Sequence, residues 1–282
     1  MDISVMKAVF LGLVQGISEF LPISSTGHLA VFSGGDERLG LFGAVVLHMG
    51  TLLSVLVFFR REVWNLSLGG VRLAGASVRA GLGQRSFRDF FAEDVYGRIA
   101  LMIVLAMVPT AVFGMGLKHI AEASMKAGNL KVVGAMFLAT AVLMFFADRL
   151  PSREKKIDGV GFWDAMTVGT FQGLAAMPGL SRSGSTIFAG ILRGVDRREA
   201  AKFSFLLSIP AIAGAMVVEG HGALKGASVH IGLLPAVAGA AMAFVAGLIS
   251  LALLLRIVSA RNLRYFTGYL VVAGFFVLFF MR

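Results

Sequence analysis

Four side chains in this sequence have the types and spacing for chemistry on a phosphate. Glu19, Ser25 and His28 fall within ten residues, in the stretch QGISEFLPISSTGH that begins at Gln15. Arg182 stands in PGLSRSGST, among Ser181, Ser183 and Thr186. A guanidinium forks onto phosphate oxygens. A carboxylate holds a divalent cation or takes up a proton. A histidine serves as general acid or base near neutral pH, or attacks phosphorus itself. The Ser24, Ser25 and Thr26 hydroxyls can cap a helix or meet a ligand. Both charged residues lie in apolar sequence, where each costs about 2.5–3.5 kcal/mol at mid-bilayer on insertion scales. A buried ion pair joining two parts of the fold is the competing reading of Glu19 and Arg182, but it leaves the hydroxyl clusters beside both unexplained. His48, inside the apolar VVLHMGT, is a less favoured candidate. His119, His221 and His230 fall at span ends and read as solvated. The absence of cysteine excludes disulfides, thiol catalysis and thiolate metal sites.

The elements that hold these residues follow from hydropathy. The 282 residues are 57% hydrophobic and 15% charged, with a mean hydropathy of +0.83. Long continuous apolar runs recur, without the alternation of a membrane barrel. The reading is an all-α polytopic membrane protein, a single membrane domain over residues 1–282. Six transmembrane helices are expected near residues 39–59, 98–117, 131–148, 202–219, 231–255 and 264–281. The stretches 4–33 and 162–192 are interrupted by Pro, Gly, Ser and charge, and are expected to be re-entrant helix pairs. The first does not read as a signal peptide. Gln15 and Glu19 occupy its apolar centre, and no suitable cleavage site follows.

That arrangement divides the Lys and Arg residues unequally. Eighteen of the 26 fall on one side, in segments spanning 60–98, 149–156, 193–202 and 256–264, and seven on the other. The richer side reads as cytoplasmic. The bias largely collapses if either interrupted stretch crosses fully. The net charge of +10 is therefore a topology signal, with anionic lipid headgroups as a second use, and no nucleic acid partner is implied.

The interrupted stretches resemble each other. GLVQGISEFLPISSTG from Gly12 and GTFQGLAAMPGLSRSGST from Gly169 both read G-x-x-Q-G, an apolar run, a proline, and a cluster of Ser and Gly. Each precedes three spans, so pseudo-repeats over 1–150 and 160–282 are expected in inverted topology, their polar site near the midplane. Pro22 and Pro178 break their helices, and the return helices present N-terminal N–H groups that suit anions. Such architecture also serves transporters or flippases of an anionic lipid or phosphate. An enzyme is favoured because the turns carry unlike groups: Glu19 and His28 in the first, Ala176 and Ser185 at roughly matching places in the second, with Arg182 instead.

VQGISEFLPISSTGHL and MPGLSRSGST together resemble the undecaprenyl-diphosphate phosphatase family, also known for bacitracin resistance. The first element matches through Gln15, Glu19, Pro22, Ser24, Ser25, Gly27 and His28; the second through Pro178, Gly179, Ser181, Arg182, Ser183 and Thr186. The likeness extends over essentially the entire chain. It implies removal of the terminal phosphate from a C55 isoprenyl diphosphate, regenerating the lipid carrier for cell-wall polymers. It implies a divalent cation, Mg2+ or Ca2+, held by Glu19 and Gln15. It also implies a bacterial inner-membrane enzyme whose site opens to the outer face. Glu19, Ser25, His28 and Arg182 are the expected catalytic residues. Gln15, Ser24, Thr26, Gly27, Ser181, Ser183 and Thr186 are the expected substrate contacts. Ser25 as nucleophile with His28 as its base is the preferred order, with attack by His28 or by water left open. Partners are the isoprenyl diphosphate and membrane lipids, with a homodimer left open.

Overall fold

A computed structural model describes residues 3–33, 43–81, 94–126, 130–151, 153–226 and 232–281. These residues are overwhelmingly helical, with no strand among those described, only a lone bridge between Lys155 and Val195. The fold class is all-α.

The first interrupted stretch folds as α1 (Val5–Phe20) and α2 (Ser25–Ser33). Ser4 caps α1 by accepting from the Lys7 amide. Pro22 supplies no N–H and disfavours a helical residue before it, and Leu21 accordingly turns extended. A π-helical turn, Gly43–Leu47, leads into α3 (His48–Phe58). Then follow α4 (Arg60–Gly81), α5 (Val95–Lys126) and α6 (Leu130–Arg149). The second interrupted stretch forms α7 (Phe162–Leu174) and α8 (Arg182–Leu192), joined by a turn around Pro178 and the positive-φ Gly179. The chain ends with α9 (Arg197–Gly226), α10 (Leu233–Ser259) and α11 (Arg264–Phe280). Helices α5, α6, α9 and α10 are long and apolar enough to cross a membrane; α3 and α11 are shorter apolar helices. Residues 34–42, which include the start of the first expected span, lie outside the described residues, as do Arg85, Arg88 and His230.

The polar segment after α3 carries a helix that span-reading treats as loop. Along α4, Trp64, Leu68 and Val71 recur at helical spacing on the exposed arc, flanked by exposed Arg60, Arg61 and Arg72. Its opposite face meets α5, where Gly69 touches the backbone at Tyr96 and Gly97.

The repeated G-x-x-Q-G motif has a packing reason. α1 lies along α10, and α7 along α5. A Cβ on Gly12 would stand 2.3 Å from the Gly239 carbonyl oxygen, and one on Gly169 would stand 2.1 Å from that of Ala106. Gly16 and Gly173, four residues on, are also close, with a Cβ there 2.6 and 2.7 Å from atoms of α10 and α5. Small residues at this spacing let helix backbones approach in a lipid environment. α6 and α11 pack together through Gly134 and Gly274. The buried core, with Phe20, Phe137, Ile187 and Phe205, sits where the two broken pairs meet the longer helices. Large apolar side chains such as Val104 and Val112 on α5, Ile249 on α10 and Phe279 on α11 face outward, as a lipid-facing surface requires.

Candidate active site

Four helix ends converge. Glu19 lies in the last turn of α1, while Ser25, His48 and Arg182 are the first residues of α2, α3 and α8. They line a cavity of about 210 Å3. Its other walls come from α5 and α7 through Thr110 and Gln172, and from α9 through the apolar Ala211, Ile212 and Ala215. The first residues of α2 and α8 line this space, so the positive ends of both helix dipoles lie where an anion would sit.

Glu19 is the centre of the polar network. Ser25 donates its hydroxyl to Glu19 Oε2 at 2.6 Å, and Gln15 donates its amide to the same oxygen at 3.0 Å. Arg182 Nη2 donates to Oε1, and His48 Nε2 lies 3.6 Å from Oε2. The Ser25 contact has the length of a charge-assisted O–H···O⁻ bond, which makes Glu19 the proton acceptor nearest that hydroxyl. Arg182 keeps its Nη1 buried and without a protein partner, so one side of its fork serves Glu19 and the other is uncommitted.

The turn that presents Ser25 is strained. Ser24 has φ +71°, an unfavourable region for a residue with a Cβ and one that clusters at functional sites. Its hydroxyl accepts from the Gly27 amide, and its carbonyl accepts from the His28 backbone. His28 Nδ1 lies 2.8 Å from that same carbonyl, and Nε2 lies 2.6 Å from the Tyr269 hydroxyl. A carbonyl only accepts, so the proton is assigned to Nδ1, and Nε2 accepts from Tyr269.

This corrects the Ser25–His28 pairing expected from sequence. Both ring nitrogens are committed elsewhere, His28 does not line the cavity, and Ser25 turns to Glu19. His28 instead stacks on Tyr269 and rests against Phe137, clamping the strained turn. His48, the less favoured candidate, is the histidine beside Glu19.

The remaining expected residues divide. Ser24, Thr26 and Ser181 line the cavity with Glu19, Ser25 and Arg182. Gln15 is buried behind them against Glu19. Gly27 faces away, touching Phe137 and the Gly179 backbone, so that the two turns pack directly. Ser183 reaches the Leu21 carbonyl, and Thr186 bonds to its own helix and to Ser204 on α9. Ser181 caps α8 by accepting from the Gly184 amide. Ser183 and Thr186 tie the second turn to its neighbours, and of the three only Ser181 lines the cavity. Sequence reasoning passed over Thr110 and Gln172. Gln172 carried a signal, since it is the glutamine of the second G-x-x-Q-G.

The donor set also tests the expected cation. Among the described residues, no three His, Cys, Asp or Glu side chains gather to hold a metal. Gln15, however, spends its nitrogen on Glu19 and keeps its Oε1 buried with no partner. A carboxylate with an adjacent unpartnered amide oxygen is a hard oxygen pair. It suits Mg2+ or Ca2+ that takes its other ligands from phosphate and water.

Comparison with known proteins agrees with this geometry. Residues 8–276 match the family model described as bacitracin resistance protein BacA. The undecaprenyl-diphosphatase of Desulfosudis oleivorans is 40% identical over 281 residues, covering 95% of this chain and 96% of that protein. That of Desulfatibacillum aliphaticivorans is 38% identical over 97% of each chain. A protein of the same name from Methanococcus vannielii is 32% identical over 98% of this chain and all of its own. With the match running through both broken helix pairs and nearly every helix between, the chain belongs to the bacitracin resistance protein BacA family.

Proposed function

We propose that this protein hydrolyses undecaprenyl diphosphate to undecaprenyl phosphate and inorganic phosphate, returning the lipid carrier to envelope polymer synthesis. The observation that carries the reading is the Ser25–Glu19–Arg182 constellation at the mouths of two helix N-termini. The full-length relatives share this activity by name. A transporter of the same lipid is not favoured. Its alternating gates would need comparable groups on both sides, and this cavity holds one carboxylate and one guanidinium on unlike turns.

The chemistry follows from the contacts. The diphosphate lies between the α2 and α8 N-termini, with Arg182 Nη1 and the free amides on its terminal phosphate. Ser25 Oγ attacks the terminal phosphorus as its proton passes to Glu19 Oε2. The bond to the bridging oxygen breaks, and undecaprenyl phosphate leaves. Water then attacks the phosphoserine, Ser25 Oγ departs and takes the proton held on Glu19, and both protons of the water stay on the product as dihydrogen phosphate until it equilibrates with solvent. A divalent cation held by Glu19 and Gln15 would neutralise phosphate charge beside this path. The isoprenyl tail leaves past Ala211, Ile212 and Ala215, the apolar wall of the cavity.

In the membrane we read α3, α5, α6, α9, α10 and α11 as six spans, and the pairs α1–α2 and α7–α8 as re-entrant. Reciprocal packing supports an inverted repeat: α1 of the first half lies on α10 of the second, and α7 of the second lies on the corresponding α5 of the first. The excess of Lys and Arg in the segments 60–98, 149–156, 193–202 and 256–264 supports a cytoplasmic location for them. The site then opens to the outer face of a bacterial inner membrane.

The test is phosphate release from purified protein given undecaprenyl diphosphate in detergent, with and without EDTA, beside Arg182→Ala. Release that is abolished by chelation and by Arg182→Ala is expected. Folded protein that releases none, or release indifferent to Arg182, would overturn the assignment.

A further inference from the structure

Gln172 stands on the α7 wall, facing the cavity from the half that carries no carboxylate there. Its side chain is 4% exposed. Its Nε2 donates to Thr110 Oγ1 at 3.2 Å and lies 3.8 Å from the Met107 sulfur. Thr110 spends its own proton on the carbonyls of Ala106, at 2.8 Å, and Gly169, at 3.0 Å. The Thr110 oxygen must therefore accept from Gln172, which fixes the amide orientation. A flipped amide would set two acceptors against each other. Gln172 Oε1 is left buried with no protein donor. An acceptor held in that manner suits a donor, and it repels the bare oxygens of a phosphate.

The hydrolysis proposed above supplies such a donor. In-line displacement requires the second-step water to enter opposite Ser25, where the bridging oxygen has left. Ser25 comes from the α1–α2 pair and Gln172 from α7 of the other broken pair, and both line the cavity. We infer that Gln172 Oε1 accepts one O–H of the hydrolytic water and aims its lone pair at the phosphoserine phosphorus, with Thr110 locking the amide. This rests on the phosphatase reading and deepens it. The water's oxygen bonds to phosphorus, the P–Oγ bond breaks, and Ser25 regains the proton stored on Glu19. No co-reactant beyond water is needed.

The experiment uses undecaprenyl diphosphate labelled in its terminal phosphate, quenched in acid, where phosphoserine survives. In Gln172→Leu the initial burst of undecaprenyl phosphate should match wild type. Turnover should fall about 100-fold, the scale of a misplaced reactant, and label should accumulate on Ser25. Gln172→Glu keeps an acceptor and should recover turnover in part. Thr110→Val, which frees the amide, should accumulate label to a lesser degree and guards against a Gln172→Leu protein that fails to fold. A Ser25-dependent burst without accumulation, or equal loss of burst and turnover, would overturn the role of Gln172 alone. Activity retained in Ser25→Ala would instead overturn the nucleophile assignment on which it rests.

Discussion

Replacing Glu19 by glutamine keeps the shape of the side chain and removes its capacity to take a proton. Glu19 Oε2 accepts from Ser25 and Gln15, and Oε1 accepts from Arg182. An amide cannot meet all three donors. If its oxygen stays with Ser25, its NH2 faces the guanidinium; if reversed, its NH2 faces Ser25. General-base catalysis contributes about 10²- to 10⁴-fold, or about 2.7–5.4 kcal/mol at 1.36 kcal/mol per decade. A kcat loss in that range is expected, with no phosphoserine formed. Breaking a buried ion pair costs about 3–5 kcal/mol in stability. That is an upper bound here, because the Arg182 side chain is 17% exposed to the cavity. The two effects separate by assaying the folded fraction from size-exclusion chromatography, with thermal unfolding measured alongside. KM should change less than kcat, since losing its partner frees Arg182 for phosphate. A Glu19→Gln protein that turns over within tenfold of wild type and still forms phosphoserine would refute Glu19 as the base, and His48, 3.6 Å away, would become the acceptor to examine.

The positioning role of His28 predicts that Tyr269→Phe, which removes the donor to Nε2, lowers activity less than tenfold while leaving the pH profile of kcat between pH 6 and 8 unchanged; a lost ionisation in that profile would make His28 a proton carrier. Gly169→Val places a Cβ 2.1 Å from the Ala106 carbonyl oxygen and should destabilise by about 1–3 kcal/mol or more as an overpacked contact. Gly268→Ala, with open space around it, should leave the unfolding temperature in detergent unchanged or slightly higher, and equal effects of the two would refute the close-packing account of G-x-x-Q-G. Because the chain has no cysteine, single Arg72→Cys and Lys118→Cys proteins can be labelled in intact cells by a membrane-impermeant maleimide. Labelling is expected at 118 and not at 72, and the reverse would invert the proposed orientation.

The sequence carried the all-α class, the breaks at Pro22 and Pro178 and the gathering of Glu19, Ser25 and Arg182, because each rests on local rules. Apolar run length, proline geometry and the cost of a charge in lipid are all readable within about twenty residues. What was illegible depends on pairs far apart in the chain. Ser25 and His28 are three residues apart on one helix, the spacing at which side chains meet, and that favours their pairing on local grounds. Tyr269, 241 residues away, draws the ring elsewhere. His48 likewise reaches Glu19 only through the packing of α3 against α10 and α1. The α4 helix was legible and overlooked, since Trp64, Leu68 and Val71 already show its period. Ser183 and Thr186 sit in a motif that attracts a ligand-binding reading as a unit. Only the helix they lie on determines that Ser181 and Arg182 face the cavity while the other two pack.

The two G-x-x-Q-G stretches bring two helix N-termini to the cavity but only one carboxylate among the described residues that line it. The two glutamines occupy the same register of G-x-x-Q-G, but four residues later the first half has Glu19 and the second has Ala176. Gln15 therefore spends its nitrogen along its own helix on a carboxylate, and Gln172 spends its nitrogen across to Thr110 on α5. In both cases the amide oxygen is buried and left without a partner. One oxygen stands next to a negative charge and suits a cation; the other has no carboxylate bonded to its amide and suits a neutral donor such as water. In the proposed mechanism this difference between Glu19 and Ala176 sets a proton-accepting side of the cavity apart from a water-orienting one. The Glu19–Arg182 pair joins them with no net charge, so the charge of an incoming diphosphate is met by the free Nη1 of Arg182, the two helix ends and any cation the substrate brings. That balance favours a ligand carrying its own counterion, with Gln15 buried behind Glu19 and Glu19 itself on the cavity wall.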